Sequence, residues 1–256
     1  MKITTVLSRT LFILAVMVVG SCSDQLTDLN ENPNGVPPSN GNPNQIMPTV
    51  QSDLGNQYMR LGFGNLSGVI QHTQEDGWFD AFNYYNWGGE NWASWYGILR
   101  NNKFLYNRST DLEYTFHQGV ALTLRAFIFA TITDLWGDAP YTEAVKGDEA
   151  DEFLLPAYDS QEVIYKGVLE DLQAAAALFA TGDNTGYVDG SDLYYNGDTQ
   201  KWQQFVNSLI LRYSMRLSGK LPDLARSGVE AVYSSGIYIK DAAEEATMEL
   251  PGNTPG

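Results

Sequence analysis

Apolar residues return at a helical step through most of this 256-residue chain, and nowhere do they alternate over a convincing strand length. A helix repeats every 3.6 residues and a strand every 2, so this pattern decides the fold class before any other feature does. Ile46, Val50, Leu54 and Gln57/Tyr58 keep the helical step, and Leu66, Val69, Ile70 and Thr73 resume it. Between Glu90 and Asn107 the stripe is Trp92, Trp95/Tyr96, Leu99, Lys103 and Tyr106. The longest and most apolar helix is expected over His117 to Leu135, with Leu122, Arg125/Ala126, Phe129 and Ile132/Thr133 facing inward. Asp159 and Glu162 make a capping-box pattern ahead of a helix carrying Ile164, Val168, Leu172 and Ala175/Ala176. Asp198 precedes a helix with Trp202, Phe205/Val206, Leu209 and Tyr213, and Pro222 opens a shorter one that stops near Gly236. The expected architecture is mostly α, with antiparallel helix pairs and long loops at 77–90, 136–157 and 181–198.

The first residues bear on the compartment. Lys2 and Arg9 precede an apolar run, Leu11 to Val19, that is too short to span a bilayer and leads into small residues, the pattern of a secretory signal peptide over 1–21. Cys22 follows directly and is the chain's one cysteine, so a disulfide has no partner within the chain and lipidation of Cys22 is the economical reading. Residues 22–44, rich in Pro, Asn and Gly, are expected as an extended tether, and 45–256 as the folded domain. Removal of 1–21 takes the formal charge from −16 to −18, which disfavours nucleic acid and anionic lipid surfaces as partners. The chain closes on LPGNTPG, a loop composition, which suggests that a longer relative would continue.

Several residue groups invite a chemical role, and a plainer role outweighs it in each. Asp138 and Glu143 in WGDAPYTEA could pair for glycosidic cleavage, but Gly137 ending a helix and Pro140 preventing its restart account for that segment as a turn. Arg125, inside an apolar helix, requires a carboxylate, from Asp134 or from another helix. His72 and His117 are the only histidines and sit in no HExxH pattern; no GxSxG or phosphate-binding loop occurs, and GFGNLSG at Gly62 to Gly68 misses a dinucleotide fingerprint at its third glycine. Asp183, Asn184, Asp189 and Asp192 could offer oxygens to calcium, but not at EF-hand spacing, and a solvated loop is the preferred reading. No catalytic residue, metal or cofactor is therefore expected.

WFDAFNYYNWGGENW, Trp78 to Trp92, is the segment that the helical pattern does not absorb. It holds seven aromatic residues and no Lys or Arg. Trp92, Trp95 and Tyr96 belong to the helical stripe and hence to the core. Residues 78–87 have no helical or strand period, and Trp78, Tyr84, Tyr85 and Trp87 are interleaved with Asp80, Asn83 and Asn86. Ring faces stack on the C–H faces of a sugar while Asn and Asp hydrogen-bond its hydroxyls, so these seven residues are the candidate ligand site. The competing role is that the rings seal the loop onto the body.

Paired helices of this size fit a tetratricopeptide-like scaffold. Three segments, LRAFIFATITDLWGDAPYTEA (Leu124 to Ala144), PAYDSQEVIYKGVLEDLQAAAALF (Pro156 to Phe179) and GDTQKWQQFVNSLILRYSMRLS (Gly197 to Ser218), resemble signature segments of SusD/RagB lipoproteins of the second SusD-like subgroup. The segment ending at Cys22, LNENPNG and WASWYGILRNNKFL fit the same pattern, and the chain is similar to the N-terminal half of such proteins. The resemblance implies a helical outer-membrane surface lipoprotein, not an enzyme, that lids a TonB-dependent SusC-like transporter and captures glycan for import. The alternative is a peptide-binding or purely scaffolding partner of such a transporter. It also implies that the loop before the W-x-x-W-Y helix contributes to the glycan site.

Overall fold

Six helices of fourteen or more residues make up most of the described residues, 38–72 and 89–248, in this computed structural model. They are α1 (Pro43–Arg60), α2 (Ala93–Asp111), α3 (Thr115–Trp136), α4 (Gln161–Ala180), α5 (Thr199–Leu217) and α6 (Pro222–Ser235). Each packs on the next in order, the arrangement of a helical-repeat scaffold, and α3 also touches α1 and α5. The link between α2 and α3 is only residues 112–114, which forces this packed pair to run antiparallel. Among the described residues the sole β-type pairing is an isolated bridge between Ala139 and Asp159. The segment expected as signal peptide, and Cys22 with it, lies outside the described residues.

Local chemistry explains where the helices start. Asn42 caps α1, its side chain accepting the Asn44 N–H at 3.0 Å, and Pro43 occupies a first position where a missing N–H is harmless. The helix thus begins inside the segment expected as tether. Asp198 accepts the N–H groups of Gln200 and Lys201 at 3.0 Å each and caps α5 as the sequence suggests. The cap of α4 differs from expectation. Ser160, not Asp159, is the cap residue, and Asp138 accepts the Gln161 N–H at 3.0 Å from across the chain. The Asp159 carboxylate turns the other way and accepts the N–H groups of Tyr141 and Thr142, while Glu162 pairs with Lys166 at 2.6 Å. A distant turn competes for Asp159, and its two N–H groups outweigh one local cap.

The core centres on α3, whose Val120, Leu124, Ile128, Phe129 and Ile132 are almost fully buried. Its length and composition would suffice to cross a bilayer, yet most of it is enclosed by neighbouring helices. Gly119 allows α4 to approach, since a Cβ there would lie 2.8 Å from the Phe179 ring. Phe179 in turn stacks on the fully buried Trp202 of α5 at 5.5 Å. In α1 the buried stripe is Met47, Val50, Gln51 and Leu54, one residue round from the expected Ile46, which is half-buried. The expected second stripe fails more fully. After α1 the chain makes a π-helical turn over Leu61–Leu66 and three helical residues, Ser67–Val69, leaving Leu66 and Ile70 exposed. Thr73 lies outside the described residues.

Residues 182–190 of the loop after α4 are mostly solvent-exposed, as its acidic composition suggests, while Ser191 and Asp192 at its far end are buried. Asp192 is 4% exposed and accepts five hydrogen bonds, from the side chains of Gln51 (2.7 Å) and Trp202 (2.7 Å) and the backbones of Tyr194, Tyr195 and Gly197. Gln51 completes the clamp by accepting the Leu193 N–H at 2.9 Å. Asn44 makes a parallel one: its Oδ1 accepts from Val188, Ser191 and the His117 ring, and its amide donates to Gly186. His117 therefore serves the core, and burial pushes its pKa down to about 4. Asp183 accepts from the Thr115 hydroxyl and Asp189 from the Asn196 amide, each in a separate structural bond.

Candidate functional site

Where α1 ends, α2 begins and α3 ends, three helix termini enclose a cavity of about 650 Å³. Its walls mix apolar and uncharged polar groups, among them Gln57, Leu61, Asn91, Ser94, Trp95 and Trp136, with one Arg60 and one Glu90. Val69 and Gly89 also line it. Those two residues lie in the chain shortly before and directly after 73–88.

Beside it lies an aromatic cluster built on Trp92, whose ring centroid is 5.9 Å from Trp136, 5.7 Å from Tyr158 and 5.9 Å from Tyr96. Trp92 and Trp136 are half-buried and Tyr158 is 62% exposed, so ring edges and faces reach solvent. Trp92 was expected in the core, and so was Tyr96. Only Trp95 is fully enclosed, because Trp92 precedes the first turn of α2, where the Asn91 side chain accepts the Ala93 N–H at 2.7 Å. Tyr96 bridges the cluster to the turn after α3 by donating to the Pro140 carbonyl at 2.7 Å.

That turn, WGDAPYTEA, holds the cluster in position. Gly137 adopts φ +78° and ψ −122°, a conformation that side chains resist, and the Thr133 hydroxyl donates to its carbonyl. Asp138 and Glu143 accept the backbone N–H groups of Gln161 and Ala157, consistent with the structural role expected for both. Arg125 meets Asp171 of α4 at 3.4 Å, whereas Asp134 accepts from Arg216 at 2.8 Å and from the Tyr165 hydroxyl. Of the two partners considered for Arg125, the one from another helix is realised.

A profile of the SusD-like family, described as starch-binding and associating with the outer membrane, matches residues 39–256. The chain belongs to the SusD-like family. Among proteins with curated descriptions no match is found. Solved structures similar to this SusD-like chain include a SusD homologue of Bacteroides fragilis (TM-score 0.64, 23% identity, 83% of this chain and 45% of that one). A SusD/RagB family protein of Bacteroides thetaiotaomicron gives a TM-score of 0.66 at 21% identity, covering 80% of this chain and 44% of that one. A chitin-binding protein gives 0.66 at 24% identity, over 80% of this chain and 45% of that one. These likenesses confirm the helical SusD fold. The chain spans less than half the length of these three relatives.

The seven candidate ligand residues, Trp78, Asp80, Asn83, Tyr84, Tyr85, Asn86 and Trp87, lie outside the described residues. The cavity and the ring cluster at the ends of their segment were not singled out from the sequence. Tyr158 had no local signal, since it is brought to Trp92 by the turn after α3. Gln51 and Asn102 had a faint one. Each is a polar residue in register with an apolar stripe, which packing tolerates only if the amide is paired or used.

Proposed function

We propose that this SusD-like chain is a cell-surface glycan-binding lipoprotein that lids a TonB-dependent SusC-like transporter for oligosaccharide uptake. Cys22 carries the lipid anchor, the protein faces the cell exterior with its helical body against the transporter, and the segment Trp78 to Trp87 receives the glycan. The observation that carries the reading is the 650 Å³ cavity, with amide, hydroxyl and ring groups, bordered by both flanks of that loop. A sugar presents C–H faces to rings and hydroxyls to amides, and a site of this composition needs no cation. The family's description as starch-binding at the outer membrane supports the same class of ligand, and a chitin-binding structural relative adds chitin fragments to the candidates. The role is binding, without catalysis.

A scaffolding role has its own support in an apolar groove between α1, α3 and α5, where Tyr58 and Met59 are about 40% exposed beside Phe127 and Leu209. Native affinity gels loaded with starch, chitin-derived and plant polysaccharides separate the two readings. Retardation by one of them, abolished in Trp78→Ala/Trp87→Ala, is expected for glycan capture. Retardation unchanged in that folded double variant refutes the loop assignment, and no retardation together with co-purification of a barrel protein favours scaffolding.

A further inference from the structure

Between α3 and α4 the chain presents apolar side chains that its own fold does not use. Phe153, Leu154, Leu155 and Pro156 follow one another with none of them buried. Leu154 is 63% exposed, and Leu155, at 90%, is the most exposed large apolar residue among those described. Single exposed apolar residues are ordinary on a protein surface, whereas an uninterrupted run of them marks an interaction site. The run is tied at both ends. Ala139 and Asp159 close the segment with paired backbone hydrogen bonds of 3.1 and 3.0 Å, and Glu143 accepts the Ala157 N–H at 2.8 Å just beyond the run. Before it, Lys103 of α2 donates to the Val145 carbonyl at 2.8 Å and pairs with Asp148 and Glu149 at 2.8 and 2.7 Å, and a 3-10 turn over Asp151–Leu154 leads into the leucines. A knuckle held in this way loses little conformational entropy when a partner covers it.

Charge selects the partner. Asp148, Glu149, Asp151 and Glu152 are all exposed beside the run, and the cations facing them are Lys103 and Lys146, the latter lying over the Phe153 ring at 5.6 Å. Asp151 and Glu152 have no ion pair among the described residues. The apolar tip therefore has an acidic rim. That rim would repel an anionic lipid surface or a second copy of a chain of net charge −16, and would attract and orient a pocket edged by Lys or Arg. We propose that the Phe153–Pro156 knuckle docks into a protein partner, its two leucines filling an apolar pocket whose edge carries Lys or Arg. On the transporter reading, on which this rests, the partner is the extracellular face of the barrel.

The test places the photo-cross-linker p-benzoylphenylalanine in the whole chain, in outer membranes that also hold the transporter, at Leu155 and, as references, at Val188 and Tyr233, which are 57% and 70% exposed on other elements. Leu155 is expected to cross-link to the barrel at a peptide flanked by Lys or Arg. Leu154→Ser/Leu155→Ser is expected to lower the barrel co-purified with the chain about tenfold or more without changing Tm. Asp151→Lys/Glu152→Lys is expected to lower it as well and to abolish the weakening of the complex by salt. The proposal is overturned, with the transporter reading intact, if a reference position but not Leu155 reaches the barrel, or if either double variant retains as much barrel as the parent. Cross-linking of Leu155 only within its own chain or to a second copy also overturns it. A barrel that neither cross-links at any position nor co-purifies with the parent chain overturns both readings.

Discussion

Replacing Asp192 by alanine tests how the long loop after α4 is held to the scaffold. The carboxylate accepts from Gln51 and Trp202, both 0% exposed, and from three backbone N–H groups of its own loop. Truncation leaves two buried side-chain donors with no water to turn to, each costing about 1–3 kcal/mol. The Tyr195 and Gly197 N–H groups are buried as well, so the expected loss is at least about 4 kcal/mol, large for one substitution. Asp192→Asn keeps one accepting oxygen and turns an NH2 toward donors, for an expected loss of roughly half that. Asp192→Leu restores volume but no acceptor and should be nearly as damaging as alanine, which separates hydrogen bonding from packing. Urea denaturation followed by tryptophan fluorescence gives the free energies, and Trp202 itself reports on the site. A loss below about 1 kcal/mol for Asp192→Ala would mean that the loop donors find other partners, and the clamp reasoning fails.

Burial lifts the Asp171 carboxyl to about 6 from an ordinary 3.8, with Arg125 only partly opposing. The folded state therefore holds this proton where the unfolded state has lost it, and the group's contribution to stability falls as pH rises from about 4 to about 6. Asp171→Asn is expected to be more stable than the parent by roughly 1–2 kcal/mol at pH 7.5, with the gain vanishing at pH 4, in paired thermal melts. The buried Ser214 hydroxyl has no partner, so Ser214→Ala should raise stability by about 1 kcal/mol, and a loss would show a bridging water. Gly137→Ala meets no atom within 4 Å yet must adopt φ +78°, so a purely conformational loss of about 1–3 kcal/mol is expected in chemical denaturation, with the Trp92 cluster's near-ultraviolet dichroism altered.

What the sequence determined by itself is local: the helical period, the caps whose side chains reach backbone within three residues, and the turn residues whose torsions are their own. Hence α3, α4, α5 and α6, the Asp198 cap and the Gly137 and Gly236 stops were legible, as was the family, whose signature segments are contiguous. The stripe at Leu66 and Ile70 was misread, since a period shows which residues could share a face but not whether another element covers it. Asp159 and Arg125 show the same boundary for charge. Their partners lie on other elements, and the choice among competing donors and acceptors depends on distances set by packing. The sugar-binding candidates divide likewise. Ring-rich composition marked 78–87, while the cavity beside its flanks and the half-buried Trp92–Trp136–Tyr158 cluster exist only because residues far apart in the chain were brought together by the burial of α3.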